Sequence, residues 1–308
     1  MSDTNDPILL ACETYRNELI AAGLLVPLGT LGIYGLSGAF EAVVNRLDAY
    51  ISRMGNHQNA EVIRFPPLFN RAHYLKTDHL QSFPNLMGSV HSFAGNEASH
   101  LELVRKKEEG EDWTRDLNMT ESMMAPATCY SLYPNVSGTL PEGGRVFDLC
   151  GFVFRHEPSL DPARMQTFRM REYVRLGLPE QALGHRDTWL KRAHEMLLSM
   201  GLDATIVVAN DPFFGRGGRV MAATQREQTL KFELVVPITS TEKPTAVMSS
   251  NYHMDHFGHT FKIKTADGQV AHSACMAFGM ERITLALFKT HGFNTKHWPK
   301  EVCQVLEL

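Results

Sequence analysis

One stretch of the chain, residues 154–173, carries charged and aromatic side chains at a spacing that suits ATP. Arg155 and Glu157 precede a polar, proline-containing turn, and Phe168 and Glu172 follow it. Side chains an even number of residues apart on a strand share a face, so each pair can point into one cavity. Arginine offers a planar charged fork to a phosphate, glutamate accepts from an amine, and phenylalanine presents a flat surface to a purine. The pattern indicates a nucleotide site on a β-hairpin, although a solvated hairpin with a buried phenylalanine fits it as well.

A second stretch, residues 274–288, consists of small residues followed by Glu281 and Arg282. Small residues let the backbone approach a ligand closely, and an arginine at the start of a helix can hold a terminal phosphate beside the helix dipole. In this order, the two stretches resemble motifs 2 and 3 of the class II aminoacyl-tRNA synthetases. The resemblance implies a catalytic domain that binds ATP.

The rest of the chain supplies the elements that would position these motifs. Apolar residues at helical spacing predict a helix over residues 39–54, and a strand is predicted over 60–65; together they resemble motif 1, the dimer-forming element of the same synthetases. Short helices and loops are predicted over residues 68–120, with a solvated charged run at 101–112, and an amphipathic helix over 187–200. Further strands are predicted at 145–154, at 204–209 (buried), at 231–237 and at 245–250. We therefore expect an α+β fold with a mostly antiparallel mixed sheet flanked by helices, as in a class II synthetase catalytic domain.

The overall composition is that of an ordinary soluble enzyme. The chain has 308 residues, 44% of them hydrophobic, which is enough for a substantial buried core. A net charge of -4 argues against a broad surface for nucleic acid. The start of the chain is acidic and polar and the longest apolar run is broken by Pro27 and glycines, so we expect no targeting peptide, no membrane span and a cytoplasmic location. Five cysteines, an odd number, suggest reduced thiols.

Cys129, Glu172 and Cys275 are candidate metal ligands that only a family resemblance brings together. Their spacing matches no metal-binding pattern, and on their own they also fit buried thiols and a paired carboxylate. Seryl-tRNA synthetases usually have a substrate-binding glutamate where this chain has Cys129, whereas the rarer zinc-dependent ones have cysteine there, the motif 2 glutamate, and a cysteine just before motif 3. This resemblance implies one Zn²⁺ per subunit on Cys129, Glu172 and Cys275. Its fourth position would be open to the amino group of an amino acid, which Glu172 would also contact.

We expect the chain to have no counterpart of the tRNA-binding N-terminal domain of seryl-tRNA synthetases, because the motif 1 helix is predicted to begin near residue 39 and no heptad run is present. In this it resembles the amino acid:[carrier protein] ligases, bacterial zinc-dependent homologues of the atypical seryl-tRNA synthetases. The resemblance covers nearly the whole chain, including the sequence NYHMDHFG at residues 251–258. It implies a single catalytic domain over residues 1–308 with an N-terminal extension at 1–38, and a homodimer. The implied partners are ATP with Mg²⁺, a small amino acid and an acidic phosphopantetheinylated carrier protein, without tRNA.

The same resemblance implies roles for individual residues. Arg155 and Arg282 would be the catalytic residues that hold the α- and γ-phosphates, and Phe168 would stack on the adenine. Lys231 would flank the phosphates or the ribose, and Glu233 would contact Mg²⁺. The other residues expected to line the nucleotide are Glu157, Arg164, Met165, Ala246, Val247, Met248 and Ser249.

Residues 211–228 form an insertion relative to seryl-type enzymes that mixes Arg216, Arg219 and Arg226 with apolar side chains. A basic and apolar surface suits an acidic carrier protein, so this segment is a candidate carrier-docking helix, although an ordinary surface helix has the same composition. Glycine is the expected amino acid, with alanine second, and Met248 or Met276 would close the pocket to larger side chains.

Two other functions fit parts of the pattern. A truncated seryl-tRNA synthetase would share the motifs, but the missing tRNA-binding arm and the negative net charge argue against it. A non-catalytic synthetase paralogue could act as an amino-acid sensor. Such a protein should have lost phosphate or metal ligands, whereas this chain has Arg155, Glu157, Arg282 and all three candidate zinc ligands.

Overall fold

The computed structural model describes residues 6–308, apart from the side chains of residues 216 and 217. The docking candidate Arg216 therefore lies outside the described side chains, as do the first five residues of the N-terminal extension. The elements of the described part follow one another along the chain as α1 Pro7–Ala21, β1 Leu25–Pro27, β2 Tyr34–Leu36, α2 Gly38–Gly55, β3 Glu61–Arg64, β4 Leu68–Asn70, α3 Arg71–Tyr74, α4 His79–Ser82, β5 Ser89–Phe93, α5 Glu97–Glu109, β6 Leu117–Met124, β7 Gly138–Thr139, β8 Arg145–Phe154, β9 Thr167–Gly177, α6 Pro179–Ser199, β10 Thr205–Val208, α7 Gly215–Glu227, β11 Lys231–Val236, β12 Thr245–Met254, α8 His256–Phe261, β13 Ile263–Lys264, β14 His272–Gly279, α9 Met280–His291 and α10 Lys300–Leu306.

A seven-stranded sheet forms the centre of the fold, in the order β10-β11-β12-β14-β9-β8-β3. All neighbouring strands are antiparallel except β3, which runs parallel to β8. Helix α6 covers one face of this sheet, where the Trp189 ring stacks on Tyr173 of β9 at 4.4 Å and meets Phe278 of β14 at 5.7 Å. The expectation of a mostly antiparallel mixed sheet flanked by helices is confirmed.

Helix α2 and strand β3 lie where the sequence predicts a motif 1 helix and strand. The Ser37 side chain accepts from Phe40 N at 3.3 Å and caps the helix. The buried face of helix α2 carries the apolar residues whose spacing predicts a helix, namely Phe40, Val43, Val44, Leu47 and Ile51. Strand β3 is an edge strand of the central sheet.

The N-terminal helix α1 packs into the same hydrophobic core as the central sheet. Tyr15 and Leu19 of this helix are fully buried. The Tyr15 hydroxyl donates to the Leu285 carbonyl of α9 at 2.6 Å, so the helix is tied to the element that carries motif 3. None of the helices in the described part of the chain is both long and apolar enough to cross a bilayer.

Three sequence-based predictions of local structure are wrong in part. Residues 68–120 contain strands β4, β5 and part of β6, and the three strands form a separate sheet. The prediction missed them because β4 and β5 are only three and five residues long, too short to show a clear alternation. Helix α6 begins at Pro179 rather than at residue 187, since polar His185 and Arg186 lie on its buried side and hide the helical periodicity. Strand β10 is an exposed edge strand, not a buried one, because a short apolar run does not distinguish the two cases.

Candidate active site

The strand register gathers the candidate residues on the face of the central sheet opposite helix α6. Directly opposed residues of antiparallel strands share a face. Glu172 of β9 lies opposite Ala277 of β14, which lies opposite Ser249 of β12, and Ser249 in turn lies opposite Glu233 of β11. A neighbouring row on the same face contains Lys231, Asn251, Cys275 and Val174.

The hairpin of β8 and β9 is paired without interruption from Arg145–Leu176 to Phe154–Thr167. Phe168 and Glu172 lie on the same strand with the even spacing that places them on one face. The expectation that Arg155 and Glu157 lie on a strand is wrong, because β8 ends at Phe154. Their side chains are held by local contacts instead: Arg155 Nε donates to the Pro126 carbonyl at 3.1 Å, and Glu157 pairs with Arg164.

Phe168 lies between two guanidinium groups. The Cζ atoms of Arg155 and Arg282 are 5.7 Å and 5.8 Å from its ring centroid. Arg282 is oriented by donating to the Ala163 carbonyl at 2.7 Å and the Ala246 carbonyl at 2.9 Å. Desolvation, together with the neighbouring positive charges of Arg155 and Arg164, lowers the pKa of Arg282 to about 10. Two guanidinium groups beside a flat ring, neither of them in a salt bridge within the described residues, form a suitable site for a nucleoside triphosphate.

Glu281, the other charged residue of motif 3, holds the three motifs together. Its carboxylate accepts from Arg169 N and Arg169 Nε, both at 2.7 Å. The remaining nitrogens of Arg169 donate to Glu41 of helix α2 at 2.7 Å. Both oxygens of the Glu281 carboxylate already accept a hydrogen bond from Arg169, so the group has little capacity left to bind a ligand. We infer that Glu281 instead fixes the backbone geometry around Arg282.

Lys231 is buried and paired with two carboxylates. Its Nζ lies 2.5 Å from Asp211 Oδ1 and 3.1 Å from Glu233 Oε1. Burial lowers the pKa of Lys231, but Asp211 and Glu233 outweigh that effect and the net shift is upward. Asp211 was not among the predicted site residues, because nothing in the sequence marks a single aspartate at the start of an insertion.

The four predicted residues of β12 divide between the two faces of the sheet. Ser249 faces the site and its Oγ accepts from Asn251 Nδ2 at 3.2 Å. Met248 lies opposite Phe278, and Met276 lies opposite Tyr173, so both methionines belong to the face that helix α6 covers. The prediction that these two side chains close an amino-acid pocket is therefore wrong, because alternation on a strand turns them away from the site.

The three candidate zinc ligands meet at one buried place. Cys129 lies in the 3₁₀ turn Thr128–Ser131, whose Thr128 hydroxyl and Cys129 N–H both donate to Glu172 Oε2, the latter at 2.7 Å. The thiols of Cys129 and Cys275 lie close enough for each to affect the pKa of the other. Burial and the negative charge of Cys275 together raise the pKa of Glu172 to about 7.

These donors suit zinc by their type, although their present arrangement is not that of a metal cage. No group of three or more His, Cys, Asp or Glu side chains in the described residues is already arranged as a metal cage. Glu172 Oε2 is occupied by Thr128 and Cys129 N, so its carboxylate would have to change partners. Two sulfur atoms and one carboxylate, brought together from distant positions, nevertheless form a donor set that zinc accepts with a fourth position open. Burial and, after it, repulsion from Cys275 raise the Glu172 pKa, and a bound cation would relieve that repulsion.

His253 is a residue of this site that the sequence did not single out. Its Nε2 lies 3.6 Å from Cys275 Sγ and its Nδ1 lies 3.0 Å from Ser273 Oγ. Asn251 Nδ2 approaches the same sulfur at 3.4 Å. The signal that could have found both residues is the alternation of Ser249, Asn251 and His253, but the strand was predicted to end at residue 250, whereas β12 continues to Met254.

The insertion at residues 211–228 contains helix α7, which presents an apolar and basic surface. Val220 and Phe214 are 69% and 59% exposed, and Arg219 and Arg226 are exposed beside them. The helix is tied to the sheet through Gln225, which exchanges two hydrogen bonds with Asp211, the partner of Lys231.

Comparison with known proteins gives a consistent set of relatives, although no protein-family profile matches the chain. Two proteins of Bradyrhizobium diazoefficiens, named amino acid–[acyl-carrier-protein] ligase 2 and ligase 1, are 44% and 42% identical to it. Both alignments cover 94% of this chain, and they cover 87% and 89% of the two relatives. A type-2 serine–tRNA ligase of Methanopyrus kandleri is 26% identical over 60% of this chain and 38% of its own length.

The solved structures that resemble this fold are catalytic domains of class II synthetases. The seryl-tRNA synthetase of M. kandleri, solved with A. aeolicus tRNASec, superposes with a TM-score of 0.81 over 95% of this chain and 60% of its own, at 21% identity. The seryl-tRNA synthetase of Pyrococcus horikoshii, solved with ATP, gives a TM-score of 0.70 at 12% identity and covers 96% of this chain and 62% of its own. The predicted class II synthetase fold is confirmed.

Proposed function

The chain belongs to the amino acid–[acyl-carrier-protein] ligases, and on that premise we propose that it activates a small amino acid with ATP and transfers it to the phosphopantetheine thiol of a carrier protein. The observation that carries the proposal is the juxtaposition on one sheet face of a cationic cluster around Phe168 with the buried group of Cys129, Glu172 and Cys275. The first suits ATP and the second suits an amino group. Glu172 and Phe168 lie on the same strand, so the two substrates would meet along β9.

In the first step, a carboxylate oxygen of the amino acid attacks the α-phosphorus of ATP. The bond from that phosphorus to the bridging oxygen breaks, and pyrophosphate leaves with the electron pair. Arg155 would hold the α-phosphate, Arg282 the γ-phosphate, and Phe168 would stack on the adenine. Such a reaction depends on positioning and on charge neutralisation, and the desolvated guanidinium of Arg282 supports both.

The remaining nucleotide contacts and the magnesium contact follow from the same arrangement. Glu233 would contact Mg²⁺ bound with ATP, because it shares the sheet face and its carboxylate is only partly engaged with Lys231. The other residues proposed to line the nucleotide are Glu157, Arg164, Met165, Lys231, Ser249 and the backbone of Ala246, Val247 and Met248.

Cys129, Glu172 and Cys275 would hold one Zn²⁺ per chain. Bound there, zinc would supply a coordination position for the neutral α-amino group of the amino acid and so orient the substrate. Thr128 and the Cys129 N–H hold Glu172 Oε2 beside the Cys129 turn, and zinc would take their place as the partner of this carboxylate. The His253 and Asn251 side chains hold Cys275 from the other side.

In the second step, the carrier thiol attacks the carbonyl carbon of the adenylate. A C–S bond forms, the C–O bond to phosphate breaks, AMP leaves with the electron pair, and the thiol proton is released to solvent. We infer an acidic carrier that docks on helix α7, supported by the exposed Arg219 and Arg226 beside apolar Val220 and Phe214.

Glycine is the proposed amino acid, with alanine second. Burial supports a small substrate, since Cys129, Glu172 and Cys275 are all at most 3% exposed and Cys129 N donates directly to Glu172. A homodimer is part of the proposal, supported by the edge strand β3, where Val62 is 65% exposed. A cytoplasmic location is also part of it, since the reaction consumes ATP.

ATP–pyrophosphate exchange across the amino acids tests the first step. Exchange with glycine above all others, followed by a mass increase of a phosphopantetheinylated acyl carrier protein equal to one glycyl group, is the expected result. Charging of serine tRNA without loading of the carrier would contradict the proposal.

A further inference from the structure

Three buried side chains close to the candidate active site have polar atoms that the fold does not satisfy. The ring nitrogens of His79, the Tyr74 hydroxyl and the Ser131 hydroxyl have no hydrogen-bond partner among the described residues. They supply four of the eight such buried atoms found in the described part of the chain, so the deficit is concentrated here. His79 is only 5% exposed. An unsatisfied buried polar group costs free energy, and a cluster of them indicates a ligand that completes the hydrogen bonds.

Aromatic rings connect this cluster to the base of helix α7. The His79 ring centroid lies 5.4 Å from that of Tyr74 and 5.1 Å from that of Phe83. Phe83 stacks on Phe213 at 5.2 Å, just before α7, and Phe214 N donates to the Ser82 carbonyl at 2.8 Å. One end of the cluster therefore adjoins the surface proposed to receive the carrier.

The other end reaches the candidate metal and phosphate residues. The Tyr130 ring lies 6.0 Å from His79, and Tyr130 and Ser131 follow Cys129 in the same 3₁₀ turn. Burial lowers the pKa of His79 to about 4, and the positive charge of Arg155 contributes. The cluster thus extends from the base of α7 to the turn of Cys129, with His79 as a neutral ring that can accept a hydrogen bond.

We propose that His79, Tyr74 and Ser131 line the passage of the carrier's pantetheine arm and bind its amide groups. This inference rests on the function proposed above. A pantetheine arm is a neutral chain of methylene groups, two amides and a hydroxyl that ends in the thiol. It needs apolar walls with a few hydrogen-bonding groups between them, which is what the aromatic rings and the four unsatisfied atoms provide.

ATP and the amino acid are poorer occupants of this cluster. Their recognition calls for charged partners, and the charged groups of the site lie around Phe168 and at Glu172 instead. The cluster itself is closed from solvent, with Phe83 stacked on Phe213. Entry of the arm requires this pair to separate, and a carrier docked on α7 would contact the chain next to Phe213.

The test uses the full-length protein, free pantetheine as acceptor, and the amino acid that gives the highest ATP–pyrophosphate exchange. His79→Phe keeps the aromatic volume and removes both ring nitrogens. It should raise the KM for pantetheine about tenfold while exchange stays within about twofold, since one buried hydrogen bond is lost. His79→Gln restores a donor and an acceptor and should recover most of the affinity. Tyr74→Phe removes only an unsatisfied hydroxyl, so it should raise the same KM without lowering Tm.

A second acceptor separates this passage from the docking surface. Arg219→Glu should weaken loading of a phosphopantetheinylated acyl carrier protein and leave transfer to free pantetheine unchanged, whereas His79→Phe should weaken both. A normal KM for pantetheine in His79→Phe and Tyr74→Phe overturns the inference. The inference is also overturned if exchange and transfer fall in parallel and Tm is lowered, because His79 and Tyr74 would then have a structural role only. If the unmodified protein makes the adenylate but loads neither acceptor, the proposed function itself has failed before any variant is made.

Discussion

The backbone N–H of Cys129 donates to Glu172 Oε2 at 2.7 Å, although the two residues lie 43 positions apart in the chain. This contact fixes the 3₁₀ turn Thr128–Ser131 over strand β9 and brings the Cys129 thiol to Cys275. Three groups that can each carry negative charge thereby share one buried place. That arrangement is costly without a cation, which is why metal content is the first property to measure.

Cys275→Ser should remove zinc from the protein. The wild-type chain purified without chelators should carry about one zinc ion, and the variant less than a tenth of that, because a hydroxyl is a far weaker zinc ligand than a thiolate. Elemental analysis by mass spectrometry gives the stoichiometry. Cys303→Ser, a partly buried thiol on α10, serves as the matched control and should retain the metal. Equal zinc in both variants would rule out the proposed ligand set.

Arg282→Ala should reduce amino-acid-dependent ATP–pyrophosphate exchange by about 10²- to 10³-fold, since two or more charge-assisted hydrogen bonds to phosphate would be lost. The KM for ATP should rise as well. Arg115→Ala removes an arginine whose side chain is 88% exposed and should leave exchange unchanged. Exchange at the wild-type rate in Arg282→Ala would show that the terminal phosphate is held elsewhere.

Arg219→Glu should raise the KM for an acidic carrier protein roughly tenfold, because an attractive contact at the docking surface becomes repulsive. The effect should shrink at high ionic strength, since salt screens exposed charges. Loading rates measured at several salt concentrations, beside the exchange reaction, provide the readout. Arg115→Glu, the same charge change on an exposed residue away from α7, is the control. If exchange and loading fall together, the carrier docks on another surface.

The elements with a regular apolar pattern could be predicted from the sequence. Helix α2 has its buried side chains at helical spacing, and strands β8 and β11 begin where expected. Phe168 and Glu172 lie on one strand, which is the condition under which their even spacing places them on one face. The start of helix α6 was predicted too late in the chain, because the polar residues His185 and Arg186 lie on its buried face and interrupt the apolar pattern.

The contacts of the site depended on register, which no local pattern supplies. Asp211 reaches Lys231 only because β10, β11 and α7 meet, and His253 reaches Cys275 only because β12 pairs with β14. Met248 was wrongly expected in the pocket, because its face follows from the pairing with Phe278. Register is set by long-range pairing, so a shift of one residue would exchange the two faces.

Arg171→Met should lower the free energy of unfolding by about 3 to 5 kcal/mol, because it leaves a buried carboxylate without its main partner. Arg171 is fully buried, and its Nε and Nη2 donate to the two oxygens of Asp148 at 3.0 and 2.7 Å. A third nitrogen reaches Asp48 of helix α2 at 2.9 Å, so the loss also loosens α2 from β9.

Urea unfolding of the single and double variants separates these effects. Arg171→Met with Asp148→Leu should regain part of the loss, since no charge is then left unpaired in the core. Arg115→Ala should change stability by less than about 0.5 kcal/mol, as expected for an exposed ion pair. A double variant as unstable as Arg171→Met alone would show that packing, and not the charge pair, dominates.

Acidification between pH 6.5 and pH 4 should destabilise the protein through His185. Burial lowers the pKa of His185 to about 4, although its hydrogen bond to the Tyr173 carbonyl opposes this. Between these two pH values, His185 binds a proton in the unfolded chain but stays neutral in the folded protein. The free energy of unfolding therefore falls as the pH falls. The total contribution is roughly 3 kcal/mol, and it is complete once the pH is below both pKa values.

His185→Gln keeps a donor for the Tyr173 carbonyl and removes the titration. The free energy of unfolding, measured in urea at several pH values from 4 to 7, should then depend less steeply on pH, by about 1.4 kcal/mol per unit in the middle of the window. Carboxylates titrate in the same range, but they are unchanged in the variant and cancel in the difference. His100→Gln, an exposed histidine on α5, should leave the slope as it is. An unchanged slope in His185→Gln would mean that His185 takes up its proton in the folded protein as readily as in the unfolded chain, by local opening of α6 from the sheet.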